Sequence, residues 1–175
     1  MIISPKTLCF LTTLKCTAAC ANCCFSCSPK RTEFLSTHDM HKYIDQALEI
    51  PSIVNVVFSG GECFLLGKDL DALIQHVTDN NLYSRVVSNA FWAKSYKIAK
   101  ERLALLVKSG LKEVNFSTGD NHSKYVPVQN IINASLACVE FGIKPYIMLG
   151  LKIAHSILIC CLQMKNSTRH SKMRK

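Results

Sequence analysis

The chain concentrates thiols near its N-terminus. The segment KCTAACANCCFSC, residues 15–27, holds five of the ten cysteines among 175 residues. Thiols at such close spacing form disulfides, bind zinc or bind an iron–sulfur cluster. Cys16, Cys20 and Cys23 have the spacing C-x3-C-x2-C. Three thiolates on one short loop can bind three corners of a cubane cluster and leave one iron open, which is what a catalytic metal site needs.

Composition favours metal binding or catalysis over disulfides. Hydrophobic residues make up 49% of the chain and charged residues 19%, as in a globular domain with a real core. The net charge is +9. Without the five basic residues of the tail over 165–175, 16 basic and 12 acidic residues remain, which is a net charge of only +4. No nucleic-acid partner is therefore expected. Lys152 and His155 interrupt the apolar stretch 146–164, so no membrane span is expected. We therefore expect a cytoplasmic protein in a reducing compartment.

Strand-like and helix-like segments alternate along the chain after the cysteines. This alternation predicts an α/β fold with a parallel sheet, helices outside it and about five βα units. The predicted strands are 7–14, 53–58, 83–87, 113–117 and 144–149, and the predicted helices are 37–49, 68–79, 95–108 and 128–141.

Unusual residues follow the predicted strands, where parallel α/β folds bind ligands. Gly60-Gly61-Glu62 follows the second strand, and its glycines would let the backbone approach a ligand closely. Further polar candidates follow the third and fourth strands. They are Ser88, Asn89, Ser117, Asp120 and His122.

The regular pattern ends at Gly150. We expect residues 1–150 to form the core domain and residues 151–175 to form an atypical C-terminal segment that ends in the basic tail. Within that segment, 151–164 is compatible with either a helix or a strand. Cysteines in apolar runs are predicted to be small buried hydrophobes; these are Cys9, Cys138, Cys160 and Cys161.

Taken together, the C-x3-C-x2-C loop after the first strand and Gly60-Gly61-Glu62 after the second resemble the radical S-adenosylmethionine (radical SAM) superfamily over residues 5–150. The resemblance implies a partial (βα)6-type barrel in which Cys16, Cys20 and Cys23 hold a [4Fe–4S] cluster. It also implies an enzyme that reductively cleaves S-adenosylmethionine to a 5′-deoxyadenosyl radical, which abstracts hydrogen from a substrate.

The same resemblance assigns the loops to cofactor binding. Gly60-Gly61-Glu62 would bind the methionine amino group, and Ser88, Asn89, Ser117 and Asp120 would approach the cofactor. Cys63 stands where the family frequently has proline. A one-electron reductant of the flavodoxin or ferredoxin type is implied, whereas the substrate, a peptide or a small molecule, is not specified.

Three alternatives remain open at this stage. Cys20, Cys24 and Cys27 repeat the C-x3-C-x2-C spacing and could hold the cluster in a later register. The chain, with five units where the family core has six, could be a truncated and inactive fragment. A non-enzymatic zinc module could use Cys16, Cys20 and Cys23 with Cys24 or Cys27 as a closed tetrathiolate.

Overall fold

A computed structural model of the protein describes residues 4–153 and 156–163. The strands and helices alternate through most of this range. The strands are β1 (Thr7–Leu11), β2 (Asn55–Ser59), β3 (Tyr83–Ser88), β4 (Glu113–Gly119), β5 (Lys144–Ile153) and β6 (Ser156–Gln163); the α-helices are α1 (Thr37–Leu48), α2 (Lys68–Asp79), α3 (Tyr96–Lys108) and α4 (Val128–Glu140), and a short 3-10 helix covers Cys63–Leu66.

Three of the helices follow from local signals in the sequence. Ser36 caps α1 by accepting a hydrogen bond from the Asp39 backbone N–H, and Ser95 caps α3 in the same way through Ile98. Apolar residues at helical spacing give α2 one buried face, which consists of Leu70, Leu73, Ile74 and Val77. These faces pack on the sheet and form one hydrophobic core around fully buried side chains such as Phe58 and Phe116.

Five strands form the parallel sheet that the sequence predicted. The sheet order is β1-β2-β3-β4-β5-β6, and every neighbouring pair from β1 to β5 is parallel. Strands in chain order with helical crossovers confirm the predicted α/β class and the partial barrel. The carboxyl ends of β1 to β5 therefore lie at one edge, where the candidate loops meet.

The last strand departs from the βα repeat. β6 pairs with β5 in the antiparallel direction, with Ile153 opposite Ser156. Within the segment 151–164, for which the sequence allowed a helix or a strand, residues 151–153 therefore continue β5 and residues 156–163 form β6. A second strand takes the place of a fifth helix.

Of the cysteines outside the N-terminal loop that were predicted to be buried, one is confirmed and one is wrong. Cys138 is fully buried, as predicted, whereas the prediction for Cys9 is wrong because its side chain is exposed. Cys9 lies on β1, which is at the end of the strand order and pairs with β2 along one edge. The side chains of Cys160 and Cys161 and the basic tail lie outside the described residues. Across 4–153 and 156–163, no helix combines the length and the apolar character needed to cross a membrane.

Gly119 ends β4 at a very close backbone contact. Its φ is +116°, and a Cβ placed there would lie 2.0 Å from the carbonyl oxygen of Gly150 on β5. The Asp120 N–H donates to that same oxygen at 3.0 Å. The position therefore requires glycine for both conformation and space.

We expect Gly119→Ala to lower the free energy of unfolding by about 3 kcal/mol or more, because backbone strain and overpacking add. Gly142→Ala is the matched control: its φ is +71°, but nothing lies within 4 Å of the added Cβ. Strain alone should cost about 1 kcal/mol there. Urea denaturation measures both, and equal losses would contradict the steric argument.

Candidate active site

The strand ends and the cysteine loop enclose one cavity. Its volume is about 290 Å³. All five thiols of the cysteine loop line it together with the ends of β2, β3 and β4. The lining residues include Cys16, Cys20, Cys23, Cys24, Phe25, Cys27, Gly60, Gly61, Ser88, Asn89, Ser117 and His122.

The five thiols of the loop differ in burial. Cys16 and Cys27 are buried, Cys20 and Cys23 are half-buried, and Cys24 is exposed. Burial raises the pKa of the Cys16 thiol, and burial followed by repulsion from Cys16 and Cys23 raises that of Cys20. These two thiols are therefore protonated at neutral pH, so metal binding here would release protons.

Backbone hydrogen bonds fix both ends of the cysteine loop. The Cys16 N–H donates to the Ser28 carbonyl at 3.1 Å, and the Ser28 N–H donates to the Leu14 carbonyl at 3.3 Å. The Tyr125 hydroxyl, from the loop after β4, donates to the Ala19 carbonyl at 2.7 Å. The loop is thereby attached at its base and at its middle.

Gly60 and Gly61 make a close approach, but to the chain itself. A Cβ on Gly61 would lie 2.1 Å from the Lys15 carbonyl oxygen, and one on Gly60 would lie 2.5 Å from that of Thr13. The Gly61 N–H donates to the Thr13 carbonyl at 2.6 Å. The sequence predicted an approach to a ligand; the structure shows that the glycines also let the β2 loop pack on the backbone that enters the cysteine loop.

Glu62 lies beneath the cavity and does not line it. Its side chain has no exposed surface, and it accepts hydrogen bonds from the backbone N–H groups of Phe64 at 3.2 Å and Asn89 at 2.9 Å. Burial raises the pKa of Glu62 to about 7. In this arrangement the carboxylate joins the β2 loop to the β3 loop, and its predicted contact with the cofactor stays a prediction.

Asn89 continues this connection into the cysteine loop. Its side-chain amide donates to the Thr17 hydroxyl at 3.0 Å and contacts the Cys16 sulfur at 3.6 Å. Its side-chain carbonyl accepts from the Phe91 N–H at 3.0 Å. The residue is 5% exposed, so it both lines the cavity and holds the first cysteine in place.

Sequence reasoning missed the residues that support the β3 loop. Ser88, predicted as a cofactor contact, accepts hydrogen bonds from the Ala90 N–H and the Trp92 indole N–H. Two buried asparagines on α4, Asn130 and Asn133, donate to backbone carbonyls of residues 90–93. Amides three residues apart on an apolar helix face were the available signal, because buried polar groups need partners.

The remaining candidates divide between the cavity and its surroundings. Ser117 and His122 line the cavity, and burial lowers the pKa of His122. Asp120 is exposed and lies outside the lining. Cys63 is fully buried and donates to the Val87 carbonyl at 3.3 Å, so it is not available to the cavity.

The cavity suits a cluster. Cys16, Cys20 and Cys23 all line it, together with Gly60 and Gly61. Among the described residues, no three cysteine, histidine or acidic side chains already surround the position of a single metal ion. A cubane binds each thiolate through a different iron, so its ligands stand further apart than those of one zinc ion.

Comparison with known families agrees with this geometry. The family model "Radical SAM superfamily" matches residues 10–152, which is most of the chain. The chain belongs to the radical SAM superfamily. Membership implies iron–sulfur chemistry that cleaves S-adenosylmethionine, and it confirms at family level the predicted cofactors, a [4Fe–4S] cluster and S-adenosylmethionine.

Individual relatives are longer than this chain. It is 27% identical over 119 residues to the "Putative peptide biosynthesis protein YydG" of Bacillus subtilis (strain 168), covering 68% of this chain and 37% of the relative. Two solved structures share the fold at 15% identity: native anSMEcpe with bound AdoMet and Cp18Cys peptide (TM-score 0.60, 83% of this chain, 43% of that chain) and native anSMEcpe with bound AdoMet (TM-score 0.59, 82% and 43%). The chain thus spans less than half the length of each of these proteins.

The raised pKa of Glu62 predicts a pH dependence of stability. The carboxyl titrates near pH 4.5 when unfolded and near 7 when folded, so the unfolded state loses its proton first as pH rises. Stability from this group should therefore fall between about pH 4.5 and 7, by about 3 kcal/mol from the size of the shift.

Glu62→Gln isolates this effect. The variant should lack that part of the pH dependence in urea unfolding between pH 5 and 8, whereas Glu101→Gln, on the exposed face of α3, should keep it. An unchanged pH profile in Glu62→Gln would show that the carboxyl does not titrate in this range.

Tyr125→Phe tests the attachment of the cysteine loop. Loss of one hydrogen bond worth about 1 kcal/mol should speed amide exchange in residues 17–24 roughly fivefold. Tyr43→Phe removes a hydroxyl from a similarly exposed tyrosine on α1 and serves as the control. Equal exchange in both variants would mean that the Tyr125–Ala19 contact does not order the loop.

Proposed function

We propose that the protein is a radical SAM enzyme in which Cys16, Cys20 and Cys23 bind the [4Fe–4S] cluster. The observation that carries this proposal is that all three thiols line one cavity with Gly60 and Gly61. The exposure of Cys24 supports the first register over the later one, because the later register would require that thiol as a ligand.

The residues around the cluster position would hold S-adenosylmethionine. Gly60 and Gly61 offer backbone groups beside the cysteines, and Ser88, Asn89 and Ser117 line the opposite strand ends. The Asn89 amide is already directed at Thr17 and Cys16, so its first role is to position the cysteine loop. Glu62 does not line the cavity; it accepts a hydrogen bond from the Asn89 backbone N–H and so holds the β3 loop in place.

When bound, the cluster supplies the electron for reductive cleavage of S-adenosylmethionine, which gives methionine and a 5′-deoxyadenosyl radical. The protein's part is to orient the cofactor and keep water away from it. Phe25, which is 40% exposed at the cavity, adds an apolar wall beside the last cysteine. An external one-electron donor of the flavodoxin or ferredoxin type would be the partner.

A peptide is the substrate class that we propose. The curated relative is named as a peptide biosynthesis protein, and one of the solved neighbours holds a peptide beside AdoMet. Hydrogen abstraction from a peptide residue would require the substrate to reach the cavity between the cysteine loop and the ends of β3 and β4.

Anaerobic reconstitution with iron and sulfide tests the proposal. After addition of S-adenosylmethionine and dithionite, we expect 5′-deoxyadenosine, measured by liquid chromatography. Cys16→Ala, Cys20→Ala and Cys23→Ala should each abolish cluster absorbance and product, whereas Cys24→Ser, at the exposed thiol, should retain both.

Each other outcome selects an alternative. Loss of the cluster in Cys24→Ser with retention in Cys16→Ala would establish the later register. A cluster without 5′-deoxyadenosine would identify a catalytically inactive fragment. Tight stoichiometric zinc with no cluster would replace the enzyme with a zinc module.

A further inference from the structure

Cys27 is a buried thiol in the cavity wall that has no place in the proposed ligand set. It is 4% exposed and packs with Cys16 and Ala18 in a small apolar cluster, against which Cys20 and Cys23 are also packed. It lines the same cavity as the three proposed ligands. A fourth enclosed thiol is therefore present beside a site that needs three.

A backbone turn brings Cys27 onto Cys23. The Ser26 N–H donates to the Cys23 carbonyl at 3.1 Å, and Ser26 has a φ of +51°, which is rare for a residue with a side chain. The chain is thereby reversed, and the Cys27 N–H donates to the Cys23 sulfur at 3.4 Å. Both thiols also line the same cavity.

We propose that Cys23 and Cys27 form a site of reversible oxidation, in which the two thiols close a disulfide when no cluster is bound. The bridge requires only that the two thiols lie close together, as the turn and the shared apolar cluster place them. Its effect on the cluster rests on the proposed function, because it requires Cys23 to be an iron ligand.

The oxidation is a thiol–disulfide exchange with a small-molecule disulfide such as oxidised glutathione. The half-buried Cys23 thiolate attacks the small disulfide, breaks its S–S bond and releases one thiolate. The Cys27 thiolate then attacks the Cys23 sulfur and releases the second. Two protein thiols lose two protons and two electrons in total, and one small disulfide becomes two thiols.

The bridge and the cluster exclude each other. A sulfur in a disulfide cannot ligate iron, so the oxidised protein would take up no cluster until a thiol reductant reopened Cys23. In a reducing compartment such a bridge would be transient, as regulatory disulfides are. It would also keep Cys23 from irreversible oxidation while the site lacks iron.

Peptide mapping tests the bridge. The reduced, metal-free full-length chain is incubated with oxidised glutathione, its free thiols are alkylated and the digest is sequenced by mass spectrometry. We expect Cys23 and Cys27 to escape alkylation and to lose two hydrogen masses together. Cys27→Ser should lose this bridge and leave Cys23 as a glutathione adduct, whereas Cys24→Ser should keep the bridge. A bridge between Cys27 and Cys16, or a stable adduct on wild-type Cys23, would overturn the proposal.

Iron uptake separates this proposal from the proposed function. Oxidised wild-type protein should fail to gain cluster absorbance until dithiothreitol is added, whereas Cys27→Ser, reduced beforehand, should gain it at once. Equal uptake by the bridged and the reduced wild-type protein would overturn the exclusion of the cluster by the bridge. If the reduced protein takes up no cluster, the proposed function fails, and the mapping result alone decides the bridge.

Discussion

A buried carboxylate connects the loops that form the cavity. Glu62 has no exposed surface, and burial of an ionisable group is costly unless hydrogen bonds offset it. Two backbone N–H groups offset part of that cost, and because one belongs to Asn89, the β2 and β3 loops are joined. The Asn89 amide extends the link to Thr17. The position of the cysteine loop therefore depends on a side chain that does not line the cavity.

The glycines beside Glu62 make this arrangement sterically possible. Gly61 lies so close to the Lys15 carbonyl that no side chain fits between them. The Glu62 N–H donates to that same carbonyl at 3.1 Å. The backbone of Gly61 and Glu62 thus packs against the start of the cysteine loop, and the Glu62 carboxylate lies under the β3 loop. Gly60-Gly61-Glu62 therefore connects the cysteine loop to the β3 loop through contacts within the protein alone.

Local patterns in the sequence predicted the local structure and did not predict the long-range contacts. The boundaries of α2, Lys68–Asp79, are those predicted, because its apolar residues repeat at helical spacing. The apolar run that became β6 fits a helix or a strand equally, and only pairing with β5 decides between them. The Tyr125–Ala19 hydrogen bond joins residues 106 positions apart, and no local pattern marks it.

For the five clustered thiols as well, the sequence pattern alone does not decide which of them are the proposed iron ligands. Spacing alone gives two equivalent registers, because C-x3-C-x2-C occurs twice. Burial distinguishes them: Cys16 lies buried against Asn89, whereas Cys24 is exposed. Cys27 then has a different neighbour, since the turn at Ser26 sets its backbone N–H against the Cys23 sulfur. The two proposals thus give the Cys23 sulfur two chemistries, iron ligation and disulfide exchange, and under them the redox state and iron supply around the protein would decide which one it performs.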